Sequence, residues 1–256
     1  MHSPMEQFEI KRLLHMHIGG LDISFTNSSS WMIIAVILAT ALFVVGMRRQ
    51  AMIPGKLQSV AEVGYEFIAN MVRDNVGDEG KKYFPFILTL FIFILFCNTL
   101  GLVPYSFTPT SHIIVTFAMA LFVMVGVTII GFAKHGLHFL SFFVPKGVPV
   151  VLLLLLVPIE IISYLIRPFS LSIRLFANML AGHTMLKVFG GFVVTLLGLV
   201  GAGSVGLISI GVVGSILALA FTIALTGLEV GIAVLQAYVF TILTCIYLND
   251  AVHMHH

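Results

Sequence analysis

Residues 158–187 read PIEIISYLIRPFSLSIRLFANMLAGHTMLK. The stretch is apolar enough to lie in lipid, yet it holds Glu160, Arg167, Arg174, Asn178, His183 and Lys187. A charge near the bilayer centre costs at least ~2.5–3.5 kcal/mol on insertion scales, so such residues face a protein partner or water. Arg174 is the most demanding of them, because a guanidinium keeps its proton in essentially any protein environment. Pro158 and Pro168 can bend a helix drawn through this stretch.

The surrounding chain has the composition of a membrane protein. Hydrophobic residues make up 59% of the 256 and charged residues 9%, whereas soluble domains carry about 45–50% and 25%. Several apolar runs reach the ~20 residues with which a helix crosses a ~30 Å hydrocarbon core. None alternates apolar and polar residues as a barrel strand would. The fold class is therefore an all-α polytopic membrane protein. The net charge of +2 is small and the basic residues are scattered beside apolar spans, so no nucleic-acid partner is expected. Cys97 and Cys245 sit inside apolar segments and read as packed free thiols. The first 27 residues are mixed and polar, without the pattern of a cleavable signal peptide. His253, His255 and His256 read as a tail rather than a metal site, and no cofactor is expected.

Taken in order, residues 1–30 form a polar arm, in which Phe8, Lys11, Arg12, Leu13 and Leu14 suggest a brief interfacial helix. A first span runs over 31–47, from Trp31 to the pair Arg48-Arg49. In residues 56–76, Leu57, Val60, Ala61, Gly64, Phe67, Ile68, Met71 and Val72 recur at helical spacing between polar residues. That pattern is an amphipathic helix, lying on the membrane surface, on a partner or on its own protein. Residues 84–103 and 113–133 are ordinary spans joined by the uncharged loop 104–111. The 48–82 connection carries Arg48, Arg49, Lys56, Arg73, Lys81 and Lys82, and the loop after 133 carries Lys134 and Lys146. The positive-inside rule puts these in the cytoplasm and the N-terminus in the periplasm. The segments 148–190 and 205–249 are too long for simple spans: as helices they reach ~60–67 Å, twice the membrane thickness. Each must either contain a turn or lie steeply tilted.

The polar residues of these segments fall into stripes. Glu160, Arg167 and Arg174 recur at sevens and Asn178 follows four later. At about 100° per residue, these four stay within about 40° on one helical face. Thr222, Glu229 and Gln236 also repeat at sevens, and Tyr247 returns to that face. Two polar stripes on consecutive long helices invite pairing across a hairpin. His183 and Glu229 can gain and lose protons, whereas Arg174 cannot. Protonatable groups make a relay; a fixed cation makes a barrier or an electrostatic trigger.

The run Ser170-Leu171-Ser172-Ile173-Arg174-Leu175-Phe176-Ala177-Asn178-Met179 with Ala181-Gly182-His183 resembles the signature of subunit a of rotary F-type ATP synthases. Leu228-Glu229-Val230, Leu235-Gln236-Ala237-Tyr238-Val239-Phe240 and Asn98-Thr99-Leu100-Gly101-Leu102-Val103-Pro104 match as well. The resemblance implies a non-catalytic stator subunit beside an oligomeric c-ring, with subunit b of the peripheral stalk, other ATP synthase subunits and membrane lipid as partners. It implies that Arg174 faces the ring carboxylates, with Asn178 and Gln236 near it. Glu160 would serve the cytoplasmic half-channel, and His183 with Glu229 the opposite one. Asn98, Tyr247 and Ser170 are secondary candidates. Gly101 stands where some bacterial members carry an acidic residue. A bacterial inner membrane is the expected location, ahead of the mitochondrial one. A proton-coupled secondary transporter is the alternative, although no matching halves are visible. An intramembrane hydrolase would need HExxH, GxSxG or paired aspartates in the spans, and these are absent.

Overall fold

A computed structural model of the chain describes residues 9–15, 17–18, 21–22, 24–48, 54–103, 106–144, 149–200 and 205–253. Six α-helices carry it: α1 (Asn27–Gly46), α2 (Lys56–Val76), α3 (Phe84–Gly101), α4 (Ile113–His135), α5 (Val150–Val200) and α6 (Val205–Val252). All but α2 are long and apolar enough to cross a membrane. The chain is thus an all-α polytopic membrane protein.

The N-terminal arm corrects the expectation of an interfacial helix. Its described residues form short strands, β1 (Arg12–Leu14), β2 (His17–Ile18), β3 (Leu21–Asp22) and β4 (Phe25–Thr26), with β1 antiparallel to β4 and β2 to β3. Phe8 lies outside the described residues. The physical cause is Asn27, whose side chain accepts from the Lys11 N–H at 3.2 Å and donates to the Glu9 carbonyl at 3.1 Å. Its own N–H donates to the Lys11 carbonyl. These bonds fold the arm back on the start of α1, where Thr26 caps the helix by accepting from the Ser29 N–H. A Thr-Asn-Ser-Ser cap therefore starts the helix at Asn27, ahead of Trp31.

Helix α2 lies on its own protein. Ala61, Ile68, Met71, Val72 and Val76 are buried, while Leu57, Val60 and Val63 on the neighbouring flank are more than half exposed. Beyond it, a 3-10 turn at Asp78–Lys82 carries Glu79, which pairs with Lys134 at the end of α4. His135 contacts the Val252 carbonyl at 3.2 Å, so the end of α6 gathers at this same pole of the molecule. A second 3-10 segment, Gly136–Phe143, folds Phe139 back onto Gly131.

Helices α5 and α6 answer the question that their lengths raised. Each is continuous, 51 and 48 residues long, and α5 runs through Pro158, Pro168, Gly190, Gly191 and Gly198 without a turn. At ~1.5 Å per residue they reach roughly 77 and 72 Å, so within a ~30 Å core they must lie steeply tilted. They pack antiparallel: Arg167 meets Asp250, His183 meets Glu229, and Phe189 meets Phe221. That register puts Asn178 at the level of Gln236. The face of α5 turned to the rest of the chain carries Pro168, Leu171, Ser172, Leu175, Met179 and His183, all buried.

Polar side chains bolt the bundle together. Asn98 is wholly buried; it donates to the Ala233 carbonyl of α6 at 3.2 Å and accepts from Thr110 at 2.8 Å. Thr116 of α4 meets Ser172 of α5 at 3.1 Å. Thr128 and Tyr164 meet at 2.7 Å. Cys97 and Cys245 are buried free thiols. Asn98→Ala strands the Thr110 hydroxyl and should lower unfolding free energy in detergent by about 1–3 kcal/mol. An unchanged denaturation midpoint would contradict this role. The Lys134 hydrogen bond holds the Glu79 carboxyl below its usual range. The pair's stabilisation is therefore present above the ordinary carboxylate range and lost as pH falls through the depressed value. Glu79→Gln should lower the melting temperature slightly at pH 7, by progressively less as the pH falls through the depressed value, and less at high salt.

Candidate functional site

Two polar groups occupy opposite sides of α5. Arg174 is exposed, Asn178 is half-buried, and both sit on the flank turned away from the bundle. At about 100° per residue, His183 lies roughly 180° around the helix from Arg174. Arg174 makes no hydrogen bond or ion pair with a described residue, and it lies within electrostatic reach of Tyr247. A guanidinium at membrane depth is costly unless water or a polar partner meets it.

His183 and Glu229 are brought together. Nδ1 of His183 stands 2.6 Å from Oε1 of Glu229, with side-chain exposures of only 8% and 4%. The distance is that of a close, buried ion pair. Apart from this imidazole, neither buried oxygen of Glu229 has a hydrogen-bond donor among the described residues. A buried carboxylate in that state is costly unless the imidazole carries the opposite charge. Each group is thereby the other's nearest charge or hydrogen-bond partner.

The other ring nitrogen reveals a residue that sequence reasoning missed. Nε2 of His183 lies 2.8 Å from Oγ1 of Thr108. Thr108 belongs to the uncharged connection between α3 and α4, which enters the bundle instead of running over its surface. Phe107, Thr108, Thr110 and Ser111 are all at most 5% exposed. Irregular backbone at membrane depth is tolerated only where protein encloses it. Enclosure here is local: Ser111 bonds the Thr108 carbonyl, and Phe107 stacks on His112 with ring centroids 5.1 Å apart. The available signal was a charge-free Ser-Phe-Thr-Pro-Thr-Ser loop, rich in hydroxyls that can exchange donor and acceptor roles.

Two glycines give this chain of contacts its space. A Cβ on Gly182 would stand 2.7 Å from Oε1 of Glu229, and one on Gly101 would stand 2.3 Å from Oγ1 of Thr108. Gly101 thus makes room for a threonine rather than leaving an acidic position empty.

The remaining candidates are dispersed. Glu160 is half-buried without a hydrogen bond or ion pair to a described residue, Ser170 is exposed, and Gln236 is buried in α6. Asn98 is taken up by the interhelical bonds described above. Arg167 is a clasp between α5 and α6. It meets Asp250 at 3.2 Å and lies 5.0 Å from the centre of the Tyr247 ring and 5.5 Å from that of Tyr164. Tyr247 is thereby packed against a fixed cation. Lys187 is exposed. His253 bonds Asn249 at 2.9 Å, and His255 and His256 lie outside the described residues. No cluster of metal-binding side chains occurs among the described residues.

Fold and site together define a polytopic membrane protein with a buried acid–imidazole pair and a separate, outward-facing arginine. Comparison with known proteins gives the family. The profile of the ATP synthase A chain family matches residues 29–249. ATP synthase subunit a of Rhodospirillum rubrum is 57% identical over 255 residues, covering 100% of both chains. That of Pelagibacter ubique is 55% identical over 255 residues, covering 99% of each. That of Paramagnetospirillum magneticum is 57% identical over 258 residues. The chain belongs to the ATP synthase A chain family.

The glycine pair yields a test. Gly101→Ala and Gly182→Ala should each destabilise the detergent-purified protein by about 1–3 kcal/mol through overpacking. Gly126→Ala, whose Cβ meets nothing within 4 Å, should be neutral or mildly stabilising. Equal behaviour of the three in thermal unfolding would show that the close approaches are unimportant.

Proposed function

We propose that this chain is the stator subunit of a rotary ATP synthase. In this reading it conducts protons through two offset half-channels to and from carboxylates on an oligomeric c-ring. The observation that carries the reading is the split across α5: a permanent cation on the exposed flank, and a coupled protonatable pair buried on the opposite one. The relatives' shared name, ATP synthase subunit a, agrees with it.

Each group then has a task. Arg174 faces the ring and favours the ionised form of each carboxylate that passes. It also separates the half-channels, because a cation in the path repels a proton. One charge crossing the membrane gains ~2.3 kcal/mol per 100 mV, so a direct leak would dissipate the gradient. Asn178 and Gln236, level with each other in the hairpin, flank Arg174. His183 and Glu229 serve the periplasmic half-channel, whereas Glu160 serves the cytoplasmic one. Tyr247 and Ser170 are secondary groups along the hairpin, and Asn98 braces it. Nucleotide chemistry belongs to other subunits, and subunit b and lipid meet the remaining apolar surface.

The membrane orientation follows from charge. Glu79, Lys134, Arg167 and Asp250 lie toward one pole of the bundle, which the positive-inside rule assigns to the cytoplasm. The N-terminus is then periplasmic, in a bacterial inner membrane.

Arg174→Ala in inverted membrane vesicles should abolish ATP-driven proton pumping, and Arg174→Cys should crosslink to a ring subunit near its carboxylate. Pumping at the unmutated rate would overturn the assignment.

A further inference from the structure

We infer that Thr108 is a positioning residue for His183: its hydroxyl holds the imidazole through every protonation state of the His183–Glu229 pair. The inference rests on the proton-conducting role proposed above. The supporting geometry is the buried contact of 2.8 Å between Thr108 Oγ1 and His183 Nε2, opposite the 2.6 Å contact at Nδ1. Thr108 is 4% exposed, His183 7% and Glu229 3%. Gly101 lets α3 approach the threonine directly, and Ser111 fixes the Thr108 carbonyl. The side chain is therefore set from two directions.

A hydroxyl is the group this position requires. When His183 is neutral with its proton on Nδ1, Nε2 accepts from the Thr108 O–H. When a proton arrives at Nε2, the imidazolium donates from both nitrogens and the hydroxyl turns to accept. If the Nδ1 proton then passes to Oε1 of Glu229, the pair becomes neutral with the imidazole proton left on Nε2, still donated to Thr108. One proton has entered at Nε2 and another has left Nδ1 for Glu229, and the ring itself need not turn during this transfer. A side chain that only donates or only accepts would lose the bond at one of these stages. Neighbouring charges are few: Glu229 faces the ring from α6, Lys187 lies one turn along α5, and His112 in the loop is stacked on Phe107. Helices α3 and α4 bring no charged side chain to this end.

The test is passive proton flow through the membrane sector of the full complex, in vesicles stripped of the catalytic head, as a function of pH. Thr108→Val should slow flow roughly tenfold, the size of one hydrogen bond to a charged group. It should also move the midpoint of the pH–rate curve about one unit to lower pH, because an imidazolium loses more than a neutral ring when its acceptor is removed. Thr108→Ser should restore both rate and midpoint. An unchanged midpoint in Thr108→Val, or a serine variant that behaves like the valine, overturns the inference. Where Thr108→Val fails to assemble with the ring, Thr108→Ala removes the hydroxyl without added bulk and must show the same shift. His183→Ala separates the two levels of the argument: wild-type flow and pH profile in that variant would refute the role of the pair itself.

Discussion

Water is absent from the bilayer core, so a polar group at that depth must find its partner inside the protein, in another subunit or in a solvated cleft. Most of the internal architecture obeys this condition. Asn98, Thr110, Thr116 and Ser172 are buried and bonded to one another or to backbone across helices. Arg167 is met by Asp250 and three aromatic rings. Arg174 breaks the pattern, and that exception is the most informative feature of the chain. It has no hydrogen bond or ion pair among the described residues.

The same condition explains why the α5–α6 hairpin can stay long and continuous. Its helices satisfy their own backbone over about fifty residues each, so side chains alone decide what faces inward. Small residues and hydroxyls allow close approach, and charged pairs at Arg167–Asp250 and His183–Glu229 set the antiparallel register. Neither pair is a simple stabiliser. A buried ion pair gains little over an apolar substitute, but losing one partner leaves the other stranded. Such pairs specify alignment more than they add stability.

The α3–α4 connection shows how a loop becomes part of a site. Without charge, it can enter the bundle; with hydroxyls, it can bond there in either sense. Glycines at 101 and 182 remove the Cβ atoms that would hold Thr108 and Glu229 away from their places. Three segments that are distant in sequence thus meet around one imidazole.

Much of this was legible in the sequence. Composition gave the membrane class, seven-residue spacing gave both polar stripes, and the motif around Arg174 gave the family. These are local signals, fixed by helix periodicity and residue chemistry. The arm, the loop and Arg167 were not legible, because their structure depends on partners far away in the chain. Asn27 turns the arm into strands through bonds to residues 16 and 18 positions earlier. Arg167 finds Asp250 only after 83 residues, and Thr108 finds His183 after 75. Sequence alone determined which groups can gain and lose a proton and which one carries a fixed charge. Tertiary structure decided which of them touch, because contact between helices depends on register and close approach, and neither is encoded within a single segment.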